Sequence, residues 1–253
     1  MKRILFLGYE KNQILDFLNN KEDILLLSGS SKKSIEEINN YKPDIIISYG
    51  YGHIIPPDIV RAYKNKIINL HISFLPWNRG VSPNLWSFVE DTPKGVTIHY
   101  INDGIDTGDI ILQEKVDLKF ENTLESSYNK LKETIELLFI ENCDSILSRT
   151  ITAIPQDLNI GSYHTKRQTE KFLKHYKIEN WKISVEELME KISDKNLIDK
   201  IEEIRTANNK HWMDIVRLSF ELDPVRSRDI FKKIKQCDHD INDLLNKLAE
   251  NEQ

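Results

Sequence analysis

The stretch that decides the fold is the opening one. Arg3-Ile4-Leu5-Phe6-Leu7-Gly8-Tyr9 is followed by a helix-spaced segment at 11–19, and then by Asp23-Ile24-Leu25-Leu26-Leu27-Ser28-Gly29. Short apolar runs return at 44–49 and 67–73, with a second helix-spaced segment at 34–40 in which Ser34 and Glu37 fit a capping box. Alternation of this kind predicts an α/β chain with a Rossmann-like, doubly wound, mostly parallel sheet wrapped by helices. Such sheets bind their ligands at the carboxyl ends of the strands. The first turn, Gly8-Tyr9-Glu10-Lys11, lacks the spaced glycines of a dinucleotide fingerprint, which argues against a nicotinamide or flavin site there.

The fourth of these runs ends in Asn69-Leu70-His71-Ile72-Ser73-Phe74-Leu75-Pro76. Alternation along a strand puts Asn69 and His71 on one face. An amide can steady a developing oxyanion while a neighbouring imidazole handles protons, which suits acyl transfer. Further on, Gly104-Ile105-Asp106-Thr107-Gly108-Asp109 supplies a carboxylate, Asp106, on a turn whose glycine is expected to let backbone approach a ligand closely. A lone strand-end histidine is more often structural, but one with Asn69 on its face and a carboxylate nearby reads as catalytic. A strand is expected at 95–102, a hairpin return at 110–118, and a long amphipathic helix from Thr123 to about Leu147. Ser82 or Asn84 is expected to cap a short helix ahead of the hairpin.

Together the Asn-x-His-x-Ser-x-Leu-Pro run and the later Asp-x-Gly turn resemble the folate-dependent formyltransferases. That family includes methionyl-tRNA formyltransferase, glycinamide ribonucleotide transformylase and the sugar N-formyltransferases. The resemblance spans roughly residues 1–165 and places the catalytic trio on Asn69, His71 and Asp106. It implies N10-formyltetrahydrofolate as donor, held by Tyr51, Gly52, His53 and Ile54, by Ser73, Phe74, Leu75 and Pro76, and by Asn102, Asp103, Gly104 and Ile105. Trp77 and Arg79 can stack on or pair with a phosphorylated acceptor, or pack the loop. The acceptor it implies is the amine of a nucleotide-linked amino-dideoxy sugar destined for surface polysaccharide. A methionyl-tRNA or glycinamide ribonucleotide acceptor, or a catalytically silent binding module, are the alternatives.

Composition sets the outer limits. The chain has 253 residues, 30% of them charged, and a formal net charge of -5. That balance argues against broad nucleic-acid binding. The basic-apolar N-terminus is too short for a signal peptide and no apolar run is long enough for a bilayer, so the expected setting is the cytoplasm, away from membranes. Cys143 and Cys237 have no metal or redox spacing, and Asp103, Asp106 and Asp109 lack the downstream glutamate of a calcium loop, so no metal is expected. His99 reads as an ordinary strand histidine.

After residue 184 glycine disappears and apolar residues recur at helical spacing, through Ile198, Ile201 and Ile204, then Trp212, Ile215, Val216 and Leu222, then Ile241, Leu244, Leu245 and Leu248. Asp223-Pro224 reads as a break and restart, and Asp238 as a cap of the last helix. The expected organisation is a catalytic domain at 1–165, a linker at 166–184 and a small helical accessory domain at 185–253, suited to a homodimer role.

Overall fold

A computed structural model describes residues 1–118 and 122–250, without the side chains of 194, 200 and 243–250. The first helix-strand alternation runs β1 (Lys2–Gly8), α1 (Gln13–Asn19), β2 (Ile24–Gly29), α2 (Ile35–Tyr41), β3 (Ile45–Tyr49), α3 (Pro57–Ala62) and β4 (Ile67–His71). There follow β5 (Arg79–Gly80), α4 (Pro83–Val89), β6 (Gly95–Tyr100) and β7 (Ile110–Lys115), then α5 (Leu124–Glu141) and α6 (Cys143–Ser148). The rest is β8 (Tyr163–His164), α7 (Lys166–His175), α8 (Val185–Leu222) and α9 (Pro224–Glu250).

Six strands form one sheet in the order β2-β1-β3-β4-β6-β7. The first four are parallel and the last two pairings are antiparallel. The sheet is covered on both faces, and β1 shows why its sequence is apolar without interruption. Ile4 and Phe6 enter the core shared with α1 and α5, while Leu5 and Leu7 enter the core shared with α2 and α3. Strands buried on both faces lose the apolar-polar alternation of a one-sided sheet.

Several local expectations hold at residue level. Ser34 and Glu37 form their capping box, and Thr123 caps α5. The helix expected to reach Leu147 is interrupted at Asn142 and continues as α6, with Arg149 in the left-handed region ending it. Ser82 stands at the N-cap of α4 with φ of 55° and makes no side-chain cap; Pro83 starts that helix instead. Residues 116–118 fall outside β7, whose pairing ends at Lys115.

The chain divides into two compact units, Met1–Ile192 and Ser193–Gln253. Residues 166–184, expected as a linker, belong to the first unit. They carry α7, whose Thr169 accepts the Trp86 indole N–H at 3.0 Å, and Ile178 and Ile183, buried with Leu85, Leu124 and Leu188. Five apolar groups meeting from four segments explain why this stretch is anchored rather than free.

In the second unit Asp223 caps α9, its carboxylate accepting the Arg226 backbone N–H at 3.0 Å. Asp238 lies inside α9 rather than at its start, because no glycine or proline interrupts the chain between Pro224 and that point. The stripe positions Leu244, Leu245 and Leu248 lie outside the described side chains. Among the described residues no helix is long and apolar enough to cross a membrane.

Candidate active site

Strand β4 ends at the carboxyl edge of the parallel part of the sheet, and its last residues meet β6 in antiparallel register, Asn69 opposite His99 and His71 opposite Thr97. Asp106 arrives from the loop between β6 and β7 with φ of 52°. A left-handed aspartate is uncommon and costs energy, which the surrounding contacts must over-determine. They do so. The Gly80 backbone N–H donates to Asp106 Oδ2 at 2.8 Å, and Gln156 donates to the Asp106 carbonyl at 3.0 Å and the Gly108 carbonyl at 2.6 Å. Gly108 was expected to admit a ligand. Its close approach is to the protein's own β6 instead, since a Cβ there would lie 1.8 Å from the Tyr100 carbonyl oxygen.

Four side chains converge. Asn69 Nδ2 donates to Asp106 Oδ1 at 3.3 Å and lies 3.3 Å from His99 Nε2. His71 Nε2 is 3.8 Å from Asp106 Oδ2, and His99 Nε2 is 3.6 Å from Asp106 Oδ1. His99 Nδ1 lies 2.8 Å from the Tyr100 carbonyl, which can only accept, so Nδ1 carries the proton. In neutral His99, Nε2 is then an acceptor for the Asn69 amide. Both amide hydrogens of Asn69 are thereby directed at protein groups, and its carbonyl oxygen is the group able to receive an N–H from a ligand.

The electrostatics separate the two ionisable partners. Burial pushes the His71 pKa below the ordinary histidine value, against the opposing pull of Asp106; His99 lowers it further and a hydrogen bond to the Asn78 backbone raises it. Nε2 is buried without a hydrogen-bond partner. His71 is therefore a neutral imidazole at pH 7 with a bare, correctly placed lone pair. Burial also opposes ionisation of Asp106, yet His71, His99 and the Gly80 N–H outweigh it and hold its carboxyl well below the usual range. The Gly80 N–H and the Asn69 amide donate to the same carboxylate.

These groups face a cavity of 1090 Å³. That is slightly above the ~300–1,000 Å³ typical of small-molecule pockets. Tyr51, Gly52, His53 and Ile54 line it, as do Asn102, Asp103, Gly104 and Ile105. Ser73, Phe74, Leu75 and Pro76 do not. Thr97 Oγ1 donates to the Ser73 carbonyl at 2.7 Å and accepts from Leu75 N at 3.2 Å, Gln113 donates to the Leu75 carbonyl at 2.7 Å, and Gly161 packs against Pro76. Several of their polar groups are spent on the fold. Trp77 and Arg79 are also absent from the lining; Arg79 N donates to the Ser162 carbonyl at 2.9 Å in the two-stranded β5–β8 pairing.

Sequence reasoning missed a wall of this cavity. Tyr9 and Tyr128 share a 2.5 Å hydroxyl hydrogen bond, and Tyr49 donates to the buried Glu136 at 2.8 Å. Lys166 and Trp181 also line the cavity. No motif marks these residues, and only the fold collects them. His99 is the fourth member of the central cluster and was legible only as a strand histidine. His99→Leu, which removes the acceptor for Asn69, is expected to lower turnover about tenfold, the worth of one hydrogen bond of ~1–1.5 kcal/mol. His99→Gln restores an acceptor and should recover most of that loss. Equal turnover of the two variants would assign His99 to packing alone. Among the described residues no group of three or more His, Cys, Asp or Glu side chains is placed to hold a metal ion.

A Rossmann-like sheet with an amide, an imidazole and a carboxylate gathered at its switch between parallel and antiparallel pairing defines a class of group-transfer sites. The chain belongs to the formyl transferase family, whose model matches residues 9–142. It is 32% identical over 130 residues to a methionyl-tRNA formyltransferase of Lachnospira eligens, a match covering 51% of this chain and 41% of that protein. The chain spans less than half the length of the curated relatives it matches. Among solved structures it resembles the formyltransferase PseJ of Anoxybacillus kamchatkensis, in complex with UDP-4,6-dideoxy-4-formamido-L-AltNAc and tetrahydrofolate. That match has 45% identity and a TM-score of 0.68, and it covers 74% of this chain and 97% of that one. A 4-N formyltransferase of Francisella tularensis matches at 29% identity and a TM-score of 0.56, covering 67% of this chain and 78% of that one.

Proposed function

We propose that the protein transfers the formyl group of N10-formyltetrahydrofolate to a primary amine of a nucleotide-linked amino-dideoxy sugar. The observation that carries this reading is the neutral, unpartnered Nε2 of His71 beside ionised Asp106 on a cavity of 1090 Å³. The likeness to PseJ, which extends over nearly all of that chain, supports a sugar nucleotide as the acceptor class. Likeness to the tRNA enzymes covers less than half of each of those first matches.

The donor supplies a formyl carbon held on nitrogen: a bond forms to the acceptor amine, the bond to the folate nitrogen breaks, and one proton passes between the two nitrogens. The chain's own residues account for the rest. Asn69 Oδ1 accepts an N–H of the incoming amine and orients its lone pair. His71 Nε2 takes the amine proton as the amine becomes acidic on attack, and Asp106 at 3.8 Å stabilises the imidazolium so formed. Protonated His71 then becomes a donor, toward the developing oxygen charge or the departing nitrogen. Asn102, Asp103, Gly104 and Ile105 with Tyr51, Gly52, His53 and Ile54 form the wall that takes the donor's ring system. Tyr128, Lys166 and Trp181, on the remaining wall, are left for the acceptor.

The test is an acceptor panel with N10-formyltetrahydrofolate: UDP- and dTDP-linked amino-dideoxy sugars, glycinamide ribonucleotide and methionyl-tRNA. Formylation of an amino-sugar nucleotide is expected. Turnover confined to tRNA or to the ribonucleotide would reverse the assignment of acceptor. Independently, N5-formyltetrahydrofolate, with its formyl group on the wrong nitrogen, should bind without turnover. At a hundredfold excess over Kd it should add about 2.7 kcal/mol of stability. For a unit of this size that is a rise of roughly 5–10 °C in melting temperature. An unchanged melting temperature at saturating ligand would remove the folate reading.

A further inference from the structure

Beyond Ile192 run the rest of α8 and then α9, and among the described residues the two meet around their turn. There the Ser227 hydroxyl donates to the Ser219 carbonyl at 2.7 Å, and the Phe220 and Phe231 rings lie 5.6 Å apart. Away from the turn the apolar residues of α8 are uncovered: Leu197, Ile201, Ile204, Ile215 and Leu218 expose between 50% and 60% of their surface. Ile230, Ile234 and Ile241 of α9 are similarly open. Helices stable in water normally cover such a face.

The spacing of the α8 face is that of a packed seam. From Leu197 its positions advance in alternating steps of four and three residues to Ile201, Ile204, Asn208, His211, Ile215, Leu218 and Leu222. That is a heptad repeat with Ile201, Asn208, Ile215 and Leu222 at a and the others at d. It runs unbroken for roughly 37 Å of helix. Its two polar members are adjacent and central, with three apolar positions on either side.

We propose that this face docks on the same face of a second copy of the chain, α8 running antiparallel to α8. In an antiparallel pair each a position forms a layer with a d position. Centring the two-fold axis between residues 209 and 210 pairs Leu197 with Leu222, Ile201 with Leu218, and Ile204 with Ile215. Asn208 pairs with His211, twice, at the axis. Every apolar residue meets an apolar one. The two polar layers satisfy each other, an amide carbonyl accepting from an imidazole N–H.

The flanking positions favour the same orientation. Antiparallel packing brings e against e, so Arg205 of each copy lies beside Trp212 of the other, a cation–π pair made twice by symmetry. Parallel packing would set Trp212 against Ala207 and His211 against its own copy, two groups that repel when protonated. A second copy is also the one partner that necessarily presents an apolar-polar-apolar seam of equal length and matching centre. The six apolar seam positions of α8 with Ile230, Ile234 and Ile241 of α9 offer on the order of 450 Å² of apolar side chain per copy, at ~50 Å² each, before the flanking groups are counted. A standard interface takes about 800 Å² per partner. The α9 faces then complete a four-helix arrangement, two helices from each copy. Nothing in this inference depends on the acceptor or on formyl transfer.

The solution mass of the full chain tests it. Twice the 29.7 kDa of one chain is expected at micromolar concentration, and one chain mass for Ile204→Glu combined with Ile215→Glu. Circular dichroism checks that the variant stays helical. Orientation is read by cross-linking in a Cys237→Ser background. Ile201→Cys with Leu218→Cys should give a covalent dimer on oxidation. Ile201→Cys alone should not, because antiparallel copies of that residue lie about 25 Å apart along the axis, far beyond disulfide reach. Three results would each overturn the proposal: a monomeric full chain, a dimer that survives the two glutamates, or cross-linking through Ile201→Cys alone. A tail that serves another protein or a lipid surface would give the first of these.

Discussion

His71→Ala is expected to lower turnover by about 10²–10⁴-fold, the range lost with a general acid–base group, while the folded state survives. The reason lies in what the side chain contributes on each side of the balance. His71 is buried, yet its Nε2 has no hydrogen-bond partner, so it gives the fold packing and one ring contact to the Asn78 backbone and reserves the other nitrogen. Truncation leaves a small polar-walled gap next to an open cavity that water can enter, which limits the structural cost. What is lost, on the proposed mechanism, is the lone pair that accepts the amine proton.

The pH dependence follows from the sign of the His71 shift. Its pKa is lowered, so the active neutral form persists below the ordinary histidine value. The acid limb of kcat/KM is expected to fall below pH 6.5 and to vanish from the residual rate of His71→Ala. Stability runs the same way. A histidine harder to protonate when folded makes no contribution well above pH 6.5 and destabilises as pH falls below it, because the unfolded chain then binds the extra proton. Near-wild-type turnover of a purified His71→Ala would remove it from the mechanism, and an acid limb unchanged in that variant would assign the titration to another group.

How much of this could be read from residues alone depends on the distance over which each feature is encoded. Asn69 and His71 sit two apart on one strand, and period-two alternation by itself puts them on one face. Asp106 is marked by the glycines around it, which announce a turn. His99 carries no such mark. Its place beside Asn69 follows from an antiparallel pairing thirty residues away, and the sheet is parallel until that point. The same non-local cause hides the Tyr9, Tyr128 and Trp181 wall. The loop at 73–76 lies outside the cavity lining, which its sequence does not mark. Its apolar character reads equally as ligand lining or as packing, and only the bonds from Thr97 and Gln113 decide for packing. In the tail the helical period was plain, but its length was not. Without glycine or proline between Val185 and Leu222 the helix has no cause to stop, so short helices became one of 38 residues.

Asp106→Asn separates charge from shape at the same site, and a loss of about 10²–10³-fold in turnover is expected from it. An ion pair at about 4 Å in a medium of effective dielectric ~20 is worth up to ~4 kcal/mol; on the proposed mechanism the imidazolium of His71, 3.8 Å from Asp106 Oδ2, would lose that partner. The amide also disturbs its neighbours. Its carbonyl can replace Oδ2 as acceptor for the Gly80 N–H, but its NH₂ then faces the Asn69 amide donor, where Oδ1 had accepted. Asn69 must turn, and with it the carbonyl that orients the amine. Because Asp106 raises the His71 pKa against the effect of burial, its neutralisation should move the acid limb of kcat/KM further toward acid even as the rate falls. A loss confined to KM would place Asp106 in binding alone. A rate that instead falls as pH rises through the His71 pKa would mean that His71 works as an acid from its charged form, and the direction of proton transfer drawn for the first step would have to be reversed.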